Sequence, residues 1–143
     1  MKLMPYQRDK DAYPMDRAYD GDAGLDLRAL PDGDQEIIPA YGRTMIPTGI
    51  HIELPEDTVG LVWSRSGLSV SKGLEVGAGC IDPGYRGEVK VVLYNHSGEA
   101  VTINEGDKIA QLLVLPLVRV SPVEVDELGP STRGLNGFGS SGR

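Results

Sequence analysis

Val89-Lys90-Val91-Val92-Leu93-Tyr94, then Ser97-Gly98, then Val101-Thr102-Ile103, then Glu105-Gly106-Asp107, then an apolar run from Ile109: this stretch decides the fold. It reads as strand, turn, strand, turn, strand, inside the longest proline-free segment, 84–115. Upstream, Ile50, Ile52 and Leu54 alternate with His51 and Glu53, and Val59, Leu61 and Trp63 alternate with Gly60 and Val62. A period of two is that of a half-buried strand. The 10 prolines and 19 glycines chop the remaining chain into short pieces, which leaves space for one short helix after Ser66. Many short strands at this spacing predict an all-β antiparallel sandwich, barrel or jelly roll.

At 143 residues the chain is the size of one domain. No stretch is apolar for long enough to cross a bilayer, and the charged start MKLMPYQRDK lacks the middle section of a secretory signal, so a cytoplasmic protein is expected. Cys80 is the only cysteine and His51 and His96 are the only histidines, which excludes an internal disulfide and a Cys/His zinc cluster. A net charge of −7 repels a nucleic-acid polymer but allows a small anion in a local basic pocket. Residues 1–125 are expected to form the β core. From Asp126 the sequence DELGPSTRGLNGFGSSGR is too poor in apolar side chains for a core of its own, so 126–143 is expected to be a flexible C-terminal arm.

Several segments could carry chemistry, and each also has a plain structural reading. Phe138, the only phenylalanine, is flanked by Gly137 and Gly139 and is either a staple for the tail or a ring that stacks on a ligand. Arg133 with Gly139, Ser140 and Ser141 supplies a guanidinium, hydroxyls and amides of the kind that cradle phosphate, or a linker. Asp82, in Asp82-Pro83-Gly84, is a turn residue or a general base. Ser64-Arg65-Ser66-Gly67 suits an oligophosphate or the capping of a short helix. Ala23 to Ala29 reads as a strand carrying a charged pair, Asp26 and Arg28, and Gly106-Asp107-Lys108 as a hairpin turn.

The order of these pieces is more specific than any one of them. AGLDLRA at 23–29, SRSGL at 64–68, GAGCIDPGYRGEV at 77–89, GDKIAQL at 106–112 and RGLNGFGSSG at 133–142 resemble, in sequence, the five signature motifs of trimeric deoxyuridine triphosphate nucleotidohydrolases. Ser64 stands where many members have proline, and Ser141 where threonine is common. The resemblance implies a distorted jelly-roll β-barrel, a homotrimer with active sites shared between chains, and hydrolysis of dUTP to dUMP and pyrophosphate by water attacking the α-phosphorus. Such a reaction lowers dUTP and supplies dUMP for thymidylate synthesis.

It also implies roles. Asp82 is the base, Gln111 and Ser66 orient water and phosphates, and Arg65 with Gly67 clamps the phosphate chain. Asp26 supports the site from behind, through an arginine or metal-bound water. The backbone of Gly77, Ala78, Gly79 and Cys80 reads uracil in a hairpin, and Tyr85 packs under the deoxyribose, leaving no space for a 2′-hydroxyl. Arg133, Phe138, Gly139, Ser140 and Ser141 close over a site. Mg2+ is implied by the triphosphate, held by its oxygens and by waters with no protein ligand named. The nearest alternatives are a deoxycytidine triphosphate deaminase, which would release ammonia, and a nucleotide-gated binding protein.

Overall fold

The structure is a computed structural model that describes residues 2–132, 134 and 135. Among the described residues eleven strands and one helix follow one another as β1 (Tyr6–Arg8), β2 (Leu25–Arg28), β3 (Gln35–Ile38), β4 (Arg43–Ile46), β5 (Ile50–Ile52), β6 (Thr58–Trp63), α1 (Ser66–Lys72), β7 (Leu74–Gly77), β8 (Cys80–Ile81), β9 (Val91–Asn95), β10 (Val101–Asn104) and β11 (Lys108–Pro116). The three strands expected between 89 and 115 are all present, but none pairs with its neighbour in sequence. β9 lies between β4 and β7, β10 pairs with β3, and β11 lies between β2 and β6, always antiparallel. Gly106-Asp107-Lys108 is therefore not a hairpin turn. Gly106, at φ 81, turns the chain from one sheet into another, and the Asp107 carboxylate accepts the Asn104 N–H at 2.9 Å.

This crossing of strands between sheets is the jelly-roll arrangement, with sheets β2-β11-β6-β8 and β4-β9-β7 as its main layers. Between them lie Leu27, Ile46, Ile50, Leu74, Leu93, Ile109 and Leu112, all at most 1% exposed. Each contributes about 1.5–3 kcal/mol by leaving water. Buried polar groups are satisfied where they serve the fold: Asn95 donates its amide to the carbonyls of Ile38, Pro39 and Glu99.

The alternation in β6 has the opposite phase to the one its large side chains suggest. Thr58, Gly60 and Val62 face inward, while Trp63 is 56% exposed. Gly60 explains the inversion, because a Cβ there would stand 3.2 Å from Ile81, 3.3 Å from Leu54 and 3.4 Å from Leu112. The missing side chain lets β8 and the core close on β6. Val59, Leu61 and Trp63 thus share an outer face with their β11 partners Leu115, Leu113 and Gln111.

The helix starts without a side-chain cap; Arg65 occupies the cap position and makes no capping hydrogen bond. Gly73, at φ 65, ends it in the left-handed conformation. After Pro116 the chain leaves the sheets, and residues 118–132 are all exposed. No helix among the described residues is long and apolar enough to cross a membrane.

Candidate functional site

Two depressions collect the sequence-predicted residues. The first, a trough of about 520 Å³, is lined by Asp26, Arg65, Ser66, Gly67, Lys108 and Gln111 among others. Sheet register explains the convergence: β2, β11 and β6 place Asp26, Gln111 and Trp63 in one row across the outer face, and the chain leaves β6 there to reach Arg65. Asp26 is 6% exposed, and its carboxylate is bonded through Oδ1 to the Arg65 guanidinium and approached at 2.5 Å by the Lys108 ammonium on Oδ2. The charged pair expected within β2 is therefore split, and Arg28 instead pairs with Asp16 at 3.5 Å. Gln111 donates to the Ser64 carbonyl at 2.9 Å, and its Oε1 lies where a Cβ on Gly24 would come within 2.3 Å. Gly24 is small because Gln111 occupies its side-chain space.

Ser64 links this trough to β7. Its hydroxyl donates to Glu75 at 2.6 Å and accepts the Val76 N–H at 2.9 Å, while Ser69 also donates to Glu75. The two hydroxyls, Ser64 first, hold the Glu75 carboxyl below its ordinary pKa.

The second depression, of about 610 Å³, is lined by Met45, Ala78, Cys80, Asp82, Tyr85 and Val92 among others. Asp82 is exposed and opens a turn closed by the Tyr85 N–H on its carbonyl at 3.0 Å. The two sides of that turn do not pair with each other, since β8 pairs with β6 and Glu88 bridges to His51. In place of a two-stranded hairpin, residues 77–80 cross from the β9 sheet to the β6 sheet. The crossing is tight: Ala78 has φ 50, and a Cβ on Gly79 would lie 2.4 Å from the Val62 carbonyl oxygen. Gly79 accepts the Val62 N–H at 2.7 Å. Tyr85, 44% exposed, is fixed by its hydroxyl on the Glu88 carbonyl at 2.8 Å, over a Gly87 whose Cβ would meet that hydroxyl at 2.5 Å.

The structure thus brings Asp26, Arg65, Ser66, Gly67 and Gln111 together, and separately Ala78, Asp82 and Tyr85, with Gly77 and Gly79 flanking Ala78. The two depressions share no lining residue. Arg133, Phe138, Gly139, Ser140 and Ser141 lie outside the described residues. Lys108 and the Ser64–Glu75 link were not singled out from sequence. Lys108 sits within GDKIAQL, but only the register shows where its side chain goes.

Fold and site together define a nearly all-β protein with a polar trough, where Arg65 and Lys108 converge on Asp26, and a separate pocket bearing the exposed Asp82 carboxylate. The chain belongs to the dUTPase family, a family of hydrolases, whose model matches residues 10–142. It is 44% identical over 137 residues to the deoxyuridine 5'-triphosphate nucleotidohydrolase of Tropheryma whipplei, covering 94% of this chain and 92% of that one. It is 41% identical over 144 residues to the enzyme of the same name from Gloeothece citriformis, covering 99% and 97%. Among solved structures, the Staphylococcus bacteriophage 80alpha dUTPase with dUpNHpp superposes with a TM-score of 0.90 at 27% identity over 100% of both chains. A mutant dUTPase of phage phi11 of S. aureus, described as coordinating a structural Mg(II) ion, matches with a TM-score of 0.79 at 26% identity over 88% of this chain and 98% of that one.

Proposed function

We infer that this protein hydrolyses dUTP to dUMP and pyrophosphate, with the two depressions as halves of one site completed between subunits. The observation that carries the reading is the trough: two cations converge on one buried carboxylate beside Gln111 and Ser66, a donor set suited to polyphosphate oxygens. Family membership over residues 10–142 supports the substrate class.

In this reading Asp82, exposed and without an ion pair among the described residues, takes the proton of the attacking water. Electrons from that water form the new P–O bond, and pyrophosphate leaves with the pair of the broken one. Gln111 and Ser66 orient water and phosphates, Arg65 with Gly67 holds the chain of phosphates, and Asp26 anchors Arg65. The fixed backbone of 77–80 presents amides and carbonyls to the uracil edge and leaves cytosine's amino group facing a donor. Tyr85 underlies the deoxyribose. Arg133, Phe138, Gly139, Ser140 and Ser141 close over the site. A cytoplasmic place belongs to the same reading.

Mg2+ enters with the triphosphate. Among the described residues no group of three or more His, Cys, Asp or Glu side chains is arranged to hold a metal, so the fit is to an ion chelated by phosphate oxygens. When bound it offsets phosphate charge.

A homotrimer is favoured by the outer face of β6 and β11. Val59, Leu61, Leu113 and Leu115 form an apolar surface beside the trough, with Leu115 43% and Trp63 56% exposed. A second copy seated there would cover apolar area and bring its own groups to the trough.

One assay tests the assignment. The protein is offered dUTP, dCTP, dTTP and UTP with magnesium, and pyrophosphate and ammonia are measured separately. Pyrophosphate from dUTP far above the other three is expected; ammonia from dCTP would make it a deaminase, and comparable turnover of UTP would remove Tyr85 as the sugar discriminator.

A further inference from the structure

Lys108 reaches Asp26 only because β11 is irregular. From Gln111, whose side chain lies on the outer face, strict alternation would turn Ala110 in, Ile109 out and Lys108 in. Instead the register shifts between Lys108 and Ala110: Ala110 pairs with Leu27, yet Lys108 pairs with Arg28. This is a β-bulge, with Ile109 as the extra residue. Ile109 and Ala110 are both 0% exposed, and Lys108 emerges on the same face as Arg28, and hence as Asp26. The bulge therefore aims an ammonium at a carboxylate that the regular ladder would have left to Arg65 alone.

The carboxylate needs it. Asp26 is buried, and among the described residues its Oδ2 has no hydrogen-bond partner; the 2.5 Å approach of Lys108 is an ion pair without hydrogen-bond geometry. The other charged groups nearby are engaged elsewhere. Arg28, on the same strand, is held by Asp16 at 3.5 Å and by the Gly106 carbonyl at 3.2 Å. Asp22, at the rim of the trough, accepts the Tyr19 N–H at 3.1 Å. From α1 and the segment before it, Arg65 is the one cation bonded to Asp26.

We propose that Lys108 is a positioning residue that neutralises buried Asp26 so that the Arg65 guanidinium can transfer to a phosphate oxygen of the ligand. Were Arg65 the only counterion, each transfer would strand a buried charge, which is strongly unfavourable. With Lys108 in place the triad carries one positive charge beyond what Asp26 offsets, and Arg65 is the member free to spend it. The inference rests on reading the trough as the polyphosphate site. It differs from a direct Lys108–phosphate contact in one respect: the need for Lys108 disappears when Asp26 loses its charge.

The experiment is a double-mutant cycle on the purified full chain. Inorganic tripolyphosphate binding is measured by calorimetry, and dUTP kcat and KM in parallel. Lys108→Gln should weaken tripolyphosphate about tenfold and raise the KM for dUTP more than it lowers kcat, within the range of direct ion-pair couplings. Lys108→Arg should restore binding to within about twofold, since it returns the charge. In an Asp26→Asn background the same Lys108→Gln change should cost less than about twofold. An equal loss in both backgrounds would mean that Lys108 meets phosphate itself, and no loss in either would mean that it does nothing for binding; both overturn the proposal, as does a wild-type protein that ignores tripolyphosphate. Should Lys108→Gln fold poorly, a Lys108→Arg variant that also binds tenfold worse would refute charge compensation. A protein that shows the cycle with tripolyphosphate but leaves dUTP intact would instead overturn the substrate reading alone.

Discussion

Gly79→Ala should disable the segment proposed to read the base while Gly77→Ala does so far less, although both glycines sit in the same crossing. A Cβ on Gly79 would lie 2.4 Å from the Val62 carbonyl oxygen and 3.4 Å from its carbon, both main-chain atoms of a central strand. Reaching ordinary contact at about 3.4 Å requires roughly 1 Å of separation between the crossing and β6. The Gly79 carbonyl accepts the Val62 N–H at 2.7 Å, so that movement stretches the bond to about 3.7 Å, beyond hydrogen-bond range. Losing it and leaving a buried amide without a partner costs about 1–3 kcal/mol. In a chain of this size that lowers Tm by about 3–15 °C. A Cβ on Gly77 instead meets the Tyr94 ring, nearest at Cε2 and 2.3 Å, and that ring is 38% exposed and can swing outward. Thermal melting and dUTP kinetics on the two variants provide the check. For Gly79→Ala the expected KM increase is at least tenfold, about 1.4 kcal/mol, with a smaller change for Gly77→Ala. If Gly79→Ala kept the wild-type KM within about twofold, or if Gly77→Ala were the more damaging, the fixed-backbone account of base recognition would be refuted.

Asp82→Asn should lower kcat by about a thousandfold or more while dUpNHpp still binds, because the amide keeps the shape and loses the base; a variant above a tenth of the wild-type rate would require another base. The Glu75 pKa is depressed chiefly by the Ser64 hydroxyl, so the link should stabilise the fold above the unfolded glutamate pKa near 4.5 and lose that contribution as pH falls through the lower folded value. Ser64→Ala should therefore flatten the acid limb of the stability curve below about pH 4.5, and an unchanged limb in acid titrations followed by circular dichroism would refute the link. Chains truncated before Gly129 and Asp82→Asn chains, each inactive alone, should regain about a quarter of wild-type activity when subunits exchange at equal concentration; an exchange-verified mixture that stays inactive would refute an arm supplied by another chain.

The existence of the strands was legible because proline and glycine fix their ends and alternation marks their faces. Their partners were not. β9, β10 and β11 read as a local meander, and only the crossing at Gly106 shows each joining a different sheet. The phase of β6 was hidden for a related reason: the residue that decides it, Gly60, contributes by lacking a side chain, and apolar alternation counts the side chains present. Within the site, residue identities in the five motifs gave Asp26, Arg65, Ser66, Gly67, Asp82, Tyr85 and Gln111 as candidates, and the fold gathers them into two groups. Lys108 escaped because its direction depends on one inserted residue in β11. The link from Ser64 to Glu75 escaped because the two lie 11 positions apart across a helix, a spacing no periodic pattern registers.

The same register explains why one chain is not expected to complete a site. Gly60 pairs with Ile81, which puts Asp82 level with Val59, while Gln111 pairs with Trp63 on the opposite side of β6. Four residues along the strand are about 13 Å, and two strand spacings are about 9.6 Å, so Asp82 and Gln111 of one chain stand roughly 16 Å apart. Arg65 lies two residues further on, on the order of 20 Å from Asp82. The α-phosphorus that receives the water and the terminal phosphate are separated by only two bridging oxygens. A base and a phosphate clamp that act on one triphosphate must therefore approach far more closely than β6 permits within a chain, and a shift of the strand by that distance would expose the core it buries. The proposed association of copies would solve this without deforming the sheet. The Asp82 pocket of one copy can face the Arg65 trough of another, and the apolar rows of β6 and β11, on the same face as Asp26 and Gln111, supply a surface next to the trough for that copy to cover. In the proposed trimer, closed cyclic symmetry would repeat the junction once per subunit and leave no chain with an unmatched half.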